Sequence, residues 1–220
     1  MVTTLEWGQT GEKIFETGID HGVLYRRTAL TGKYDKGYAW NGLVSVTESP
    51  SGAESNKQYA DNQVYANLTS AEEFSATIEA FMYPEEFEAC DGTAEIAPGI
   101  TIGQQKREIF GLSYRTKVGN DTDADAGYKI HLIYGGMAAP TEKAHTTIND
   151  SPEAMTFSWD VSTNPVSVNG FKPTAQLTID STKVDSSDLA ALEELLYGDG
   201  TTQASLPTPD EVVALVGTTV

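Results

Sequence analysis

The chain has 220 residues, enough for one main compact domain with a buried core, with or without an extra arm or terminal segment. Hydrophobic residues make up 39% and charged residues 21%, a balance that excludes a disordered or fibrous chain. Against 14 Lys+Arg stand 32 Asp+Glu, and the resulting net charge of −18 repels phosphates, which counts against duplex DNA gripped through its backbone.

Period-2 alternation dominates the chain from its start. "KIFETG", "GVLYRR" and "GYAWNGLVSVTE" are rich in β-formers and punctuated by glycine, so they read as strands with bulges or tight turns. "ESPSGAESNKQYADNQ", residues 48–63, is too long and polar for an ordinary turn; it reads equally as an arm that packs on a partner or as a surface loop. "EEFSATIEAFMY" then places Phe74, Ala76, Ile78, Ala80 and Met82 on one side of a half-buried strand. "YPEEFEACDG" predicts a turn or two of helix, with Pro84 at its start and Glu85 and Glu86 at the positive end of the dipole. A second long loop is expected over residues 90–105.

"REIFGLSYRTKV" puts Phe110, Leu112, Tyr114 and Val118 inward, with Ser113, Arg115 and Lys117 outward. "GYKIHLIYG" does the same with Tyr128, Ile130, Leu132 and Tyr134, so the two strands are expected to face each other across the intervening loop. "AMTFSWDVS" turns Met155, Phe157, Trp159 and Val161 inward, and "TAQLTID" turns Ala175, Leu177 and Ile179. The strand count suits a β-sandwich or barrel. Near the C-terminus, Leu189, Leu192 and Leu196 form one helical stripe ended by Gly198. Thr208 with Glu211 three residues on is a capping box, with Pro209 just inside and Gly217 after the apolar turn.

The catalytic inventory is thin. His21, His131 and His145 are the only histidines, and none stands in a metalloprotease, haem-attachment or nucleophile-elbow motif. His131, alternating with Lys129 and Ile133, reads as a structural or solvent-facing histidine. Cys90 is the only cysteine, so no intrachain disulfide and no thiolate cluster for zinc is expected, and its apolar and acidic surroundings predict an inert thiol. No phosphate-binding glycine motif and no apolar run near the roughly 20 residues of a membrane span occurs, so no cofactor and no membrane partner is expected. The N-terminal "MVTTLEWGQTGEK" lacks the basic and apolar pattern of a secretion signal, so a cytoplasmic folding compartment is expected.

Asp121, Asp123 and Asp125 alternate ahead of a glycine, as carboxylates do in calcium loops. Counted from Asp121, however, the glycine falls at Gly127 and the twelfth position is Leu132, which breaks the helix-loop-helix spacing. A β-loop calcium site at these three residues stays open beside the plainer reading, a turn whose Asn, Asp and Thr side chains satisfy their own backbone.

"FETGIDHGVLY", "GYAWNGLVSVTESPSGAESNKQYADN", "YPEEFEACDG", "IGQQKREIFGLSYRTKVGND", "GYKIHLIYG" and "TINDSPEAMTFSWDVSTNPV" resemble the major tail protein family of long-tailed bacteriophages. The resemblance covers residues 12–179, and "LYGDGTTQASLPTPDEVVALV" is similar to endings in that family. It implies a mainly β fold, a β-sandwich or barrel of the tail-tube type with a short flanking helix and C-terminal helical segments. The expected division is a tail-tube domain over 1–182 and a helical extension over 183–220. It further implies a non-enzymatic virion protein that assembles with itself into stacked hexameric rings around a tape-measure protein, alongside other tail proteins. Genomic double-stranded DNA would pass through without specific binding, and the subunit would wait in the host cytoplasm before assembly. Self-contacts are expected from the 48–63 loop, at Ser51, Glu54, Asn56, Tyr59, Asp61 and Asn62. The competing class is a β-sandwich that binds carbohydrate or a cell surface, with calcium at the three aspartates and Trp40 or Trp159 as sugar platforms, although Trp159, alternating with Phe157 and Met155, reads better as core.

Overall fold

The computed structural model describes residues 4–148, 150 and 154–217. The chain is mainly β, with one large antiparallel sheet, three small two-stranded sheets and short helices. The first half comprises β1 (Phe15–Arg26), β2 (Lys36–Ala39), β3 (Leu43–Glu48), β4 (Ser51–Gly52), β5 (Ser55–Ala60), β6 (Gln63–Thr69), β7 (Glu72–Glu73) and β8 (Ser75–Ala80). A 3-10 turn (Glu85–Phe87) runs into α1 (Glu88–Asp91), followed by β9 (Ala94–Ala97), β10 (Ile100–Ile102), β11 (Phe110–Gly119) and β12 (Gly127–Ala138). The chain continues through β13 (Phe157–Thr163), β14 (Gln176–Asp180), α2 (Ser186–Tyr197) and α3 (Pro209–Val216).

The main sheet has eight strands in the order β2-β1-β11-β12-β13-β8-β3, with β14 added beside β12. Strand β12 is the hinge of the architecture, because Lys129–Ile133 pair with β14 while Gly136–Ala138 pair with β13. Between these stretches Gly135 adopts φ 64, and a Cβ there would strike the backbone oxygen of Asn164. Only glycine turns the strand from one partner to the other. The sheet consequently curls, bringing β3 and β8 across a common core from β1 and β11. It does not close: β2 and β3 end its path, β14 is a further edge beside β12, and among the described residues no ladder joins β2 to β3. The barrel alternative therefore fails, because Trp40–Gly42 joins β2 to β3 as a connection and not as paired backbone.

Two cores result. Inside the curl, Leu24, Trp40, Ile78, Phe87, Leu112 and Trp159 pack together, with the Phe87 ring 4.7 Å from Trp40 and 5.1 Å from Trp159. On the outer face of the same strands, Tyr25, Ile130, Leu132 and Tyr134 meet Leu189, Leu192 and Leu196 of α2 and Val212 of α3. Removing each such leucine from water stabilises the fold by roughly 2 kcal/mol.

The helices therefore dock on the sheet of their own chain, and β11, β12 and the second half of β1 are covered on both faces. This corrects the one-faced reading of β11 and β12. Leu112 pairs with Ile133 and Ser113 with Leu132, so the rows Phe110–Leu112–Tyr114 and Ile130–Leu132–Tyr134 lie on opposite faces. Ser113, expected outward, is fully buried, and His131 is buried as well. Met82 and Met155, expected inward, are exposed because each lies just beyond the end of its strand.

Candidate assembly surfaces

Residues 48–63 are mostly paired strand, with short connections at 49–50 and 53–54 and a turn at 61–62, and not one long loop. Strands β4 and β7 form a two-residue neck in which Ser51 pairs with Glu73, and β5 and β6 form the hairpin above it. The reversal is made by Asp61 and Asn62, with φ 51 and φ 60, which are the two left-handed positions of a type I′ turn. Asn and Asp tolerate that region because their short polar side chains satisfy local backbone. The neck is fixed from both sides: Glu54 N–H donates to Ser70 Oγ at 3.1 Å, and Ser75 Oγ donates to the Ser49 carbonyl at 2.7 Å.

All six expected self-contact residues, Ser51, Glu54, Asn56, Tyr59, Asp61 and Asn62, thus fall on one projecting arm. Asn56 shares a face with Leu68, its direct partner, and accepts from Gln58 Nε2 at 3.2 Å. Tyr59 is 69% exposed opposite Val64, after a bulge that leaves Tyr65 unpaired and 78% exposed. None of the arm's side chains joins either core. Val64, Tyr65 and Leu68 were missed as surface residues because the expected loop stopped at Gln63. The readable signal was the Asp61-Asn62 dipeptide between two polar runs of strand length.

Residues 90–105, also expected as loop, hold the end of α1 and the hairpin β9–β10. Pro98 and Gly99, the latter at φ 76, occupy its turn, and Ile96, Ile100 and Ile102 are exposed on it. The N-terminal segment adds exposed Leu5 and Trp7. An isolated two-stranded hairpin is marginal in water, so apolar side chains displayed on two of them are surfaces that gain from being covered.

The acidic loop behaves differently. Asn120 Oδ1 accepts from the backbone N–H of Thr122 at 2.9 Å and of Asp123 at 2.7 Å, and Asp123 Oδ1 accepts from Asp125 N–H at 3.0 Å. Asp125 pairs with Lys117 Nζ at 3.1 Å, while Asp121 accepts from Gly11 N–H at 2.9 Å. The three carboxylates are spent on separate partners, and among the described residues no group of three or more His, Cys, Asp or Glu side chains is arranged to hold a metal ion. Trp159 is fully buried, as its place in the alternation predicts, and Trp40, the other candidate sugar platform, is 3% exposed, so neither offers a ring face to a ligand.

Cys90 is buried against the aromatic core, and burial pushes its thiol up to about 12. Two elements of polar structure lie inside the molecule. Asp91 accepts from the Trp159 indole N–H at 3.0 Å and pairs with Lys143 Nζ at 2.6 Å. The second surrounds His131, where Glu16, Glu48, Tyr114 and Gln176 meet from four strands.

Fold and surface together define a mainly β chain with one open, curled sheet, C-terminal helices docked on it, and two hairpins held away from the cores. No protein-family model matches the chain, and a search of curated proteins finds no match.

Proposed function

We propose that this chain is a structural, non-enzymatic subunit that polymerises with copies of itself, the major tail-tube protein of a long-tailed bacteriophage. In this reading the subunits close into hexameric rings, the rings stack around a tape-measure protein, and the genome passes through the resulting tube. The β-sandwich of the tail-tube type is the form in which the curled sheet is read, and the virion tail is the destination, reached from the host cytoplasm. The observation that carries the proposal is the arm: a hairpin with Tyr59, Val64, Tyr65 and Leu68 exposed and no partner of its own among the described residues.

Physical chemistry supports this reading in two ways. The open edges at β2 and β3 are templates for further strands, and joining subunits head to tail covers them. The net charge of −18 suits a conduit, since carboxylates near a lumen repel phosphates over a Debye length of about 8 Å at physiological salt.

The test replaces Glu54–Ser70 by a short Gly-Ser turn. The expected product is a folded monomer by circular dichroism that gives no tubes by negative-stain electron microscopy at concentrations where the parent chain does. Tubes from the shortened chain would remove the arm from the assembly, and a parent chain that stays monomeric in the presence of preformed tail initiation complexes would end the proposal.

A further inference from the structure

The arm is rooted in the buried polar cluster. Glu48 is the last residue of β3, three residues before Ser51 where the arm begins, and its side chain turns back toward Tyr114 and Gln176. There its Oε1 accepts from Tyr114 Oη at 2.6 Å and its Oε2 from Gln176 Nε2 at 2.5 Å. His131 of β12 lies beside it, stacked on the Tyr114 ring with centroids 4.8 Å apart and planes 5° apart. Its Nδ1 is 3.7 Å from Glu48 Oε1 and 3.5 Å from Thr178 Oγ1 of β14. Its Nε2 is 2.9 Å from Thr116 Oγ1 of β11 and 3.5 Å from Glu16 Oε1 of β1. The remaining charge is Lys129 of β12, held by Glu16 Oε2 at 2.6 Å.

Counting hydrogens assigns the imidazole. The Thr116 hydroxyl has one hydrogen and donates it to Glu16 Oε1 at 2.5 Å, so toward His131 it acts as acceptor. Nε2 therefore carries the proton of the neutral ring. Nδ1 is left without a proton, within reach of the Thr178 hydroxyl at 3.5 Å and with a carboxylate oxygen that accepts from another group already 3.7 Å away. A second proton can enter at Nδ1, and it converts that unfavourable contact into a donor aimed at Glu48.

We propose that His131 is a proton switch at the root of the arm: neutral with its proton on Nε2 at alkaline pH, and on acidification protonated at Nδ1, where it takes hold of Glu48 and shifts the β3 end from which the arm departs. Burial works against the charged ring, holding it below the ordinary histidine value, while Glu48 and Glu16 oppose that effect. The transition therefore falls below the unfolded midpoint of 6.5. The switch is a property of the single subunit and stands whether or not the arm assembles.

The test uses dilute, monomeric full-length chain labelled with ¹⁵N. Long-range imidazole spectra at pH 8 are expected to show the Nε2–H form, and a titration from pH 8 to 5 is expected to move the backbone amides of residues 48–53 with the His131 midpoint. His131→Gln, which keeps a donor toward Thr116 and cannot titrate, is expected to abolish the movement. An Nδ1–H ring at pH 8, a His131 midpoint above 6.5, or amide shifts unchanged in the variant would each overturn the proposal. Should that variant fail to fold, the tautomer and the midpoint in the parent chain decide it.

Discussion

Asp91 shows how one residue can carry an element. It is buried, it holds the indole N–H of Trp159, and its ion pair brings Lys143 over the rings of Tyr83 and Trp159 at 5.7 and 6.0 Å. Asp91→Ala leaves that N–H buried without an acceptor and releases the lysine, and is expected to cost about 3 kcal/mol in urea unfolding. Asp91→Asn retains an acceptor and is expected to cost less than half as much. Next to it, Cys90 has its thiol pushed up to about 12 by burial, and is expected to resist iodoacetamide in the native chain and react fully in denaturant. "FEACDG" made the inert thiol legible from its missing cationic neighbours. The role of Asp91 was not legible, because Trp159 and Lys143 reach it only in the folded chain.

At the scale of elements, the C-terminal helices follow their sequence closely. Thr208 Oγ1 accepts from Glu211 N–H at 3.3 Å and Glu211 Oε2 accepts from Thr208 N–H at 2.8 Å, completing the capping box read from "TPDE". Thr208→Ala is expected to lower stability by about 1 kcal/mol, measured as a shift in the urea midpoint at constant slope. The arm separates stability from surface function. Tyr65→Ser with Leu68→Ser changes side chains that touch neither core, so stability is expected to stay within about 0.5 kcal/mol of the parent. Self-association, read by sedimentation velocity, is expected to fall sharply. A large loss of stability instead would mean that the arm supports its own subunit.

For the whole molecule, charge governs both acid response and association. Burial opposes ionisation of Glu16 and Asp20, but hydrogen bonds outweigh it, from Lys129 and Thr116 to Glu16 and from Arg115 and His21 to Asp20, so both carboxylates lie below their ordinary values. A depressed folded value stabilises above the unfolded midpoint, here 4.5 for Glu16 and 3.8 for Asp20, and that stability is lost as pH falls through the folded values. His131 is depressed as well, but as a base: its contribution is present above 6.5 and lost as pH falls toward its folded value. Thermal unfolding is therefore expected to weaken in two steps on acidification, the upper removed by His131→Gln. The lower is expected to shrink in Arg115→Met, which deletes the donors at 2.8 and 3.3 Å from Asp20. Salt is expected to promote association, because copies each carrying −18 repel beyond contact and a Debye length of about 10 Å at 0.1 M screens that repulsion.

Local pattern determined what local physics governs. Alternation at "FSATIEAF", "FSWDVS" and "QLTID" placed strands, the leucine spacing 189–192–196 placed α2, and Thr208, Pro209 and Gly217 bounded α3, since period, caps and breakers act within a few residues. Tertiary structure alone decided which face of each strand was interior. The helices cover the outer face of β1, β11 and β12, so Ser113 is buried there beside Tyr25, 88 residues away, while His131 is buried on the inner face against Tyr114 and Glu48, and alternation lost its meaning in both places. It also decided the fate of the polar stretches at 48–63 and 90–105. Their pairing is satisfied by backbone hydrogen bonds, which any composition can supply, so they became hairpins that display their apolar side chains instead of burying them.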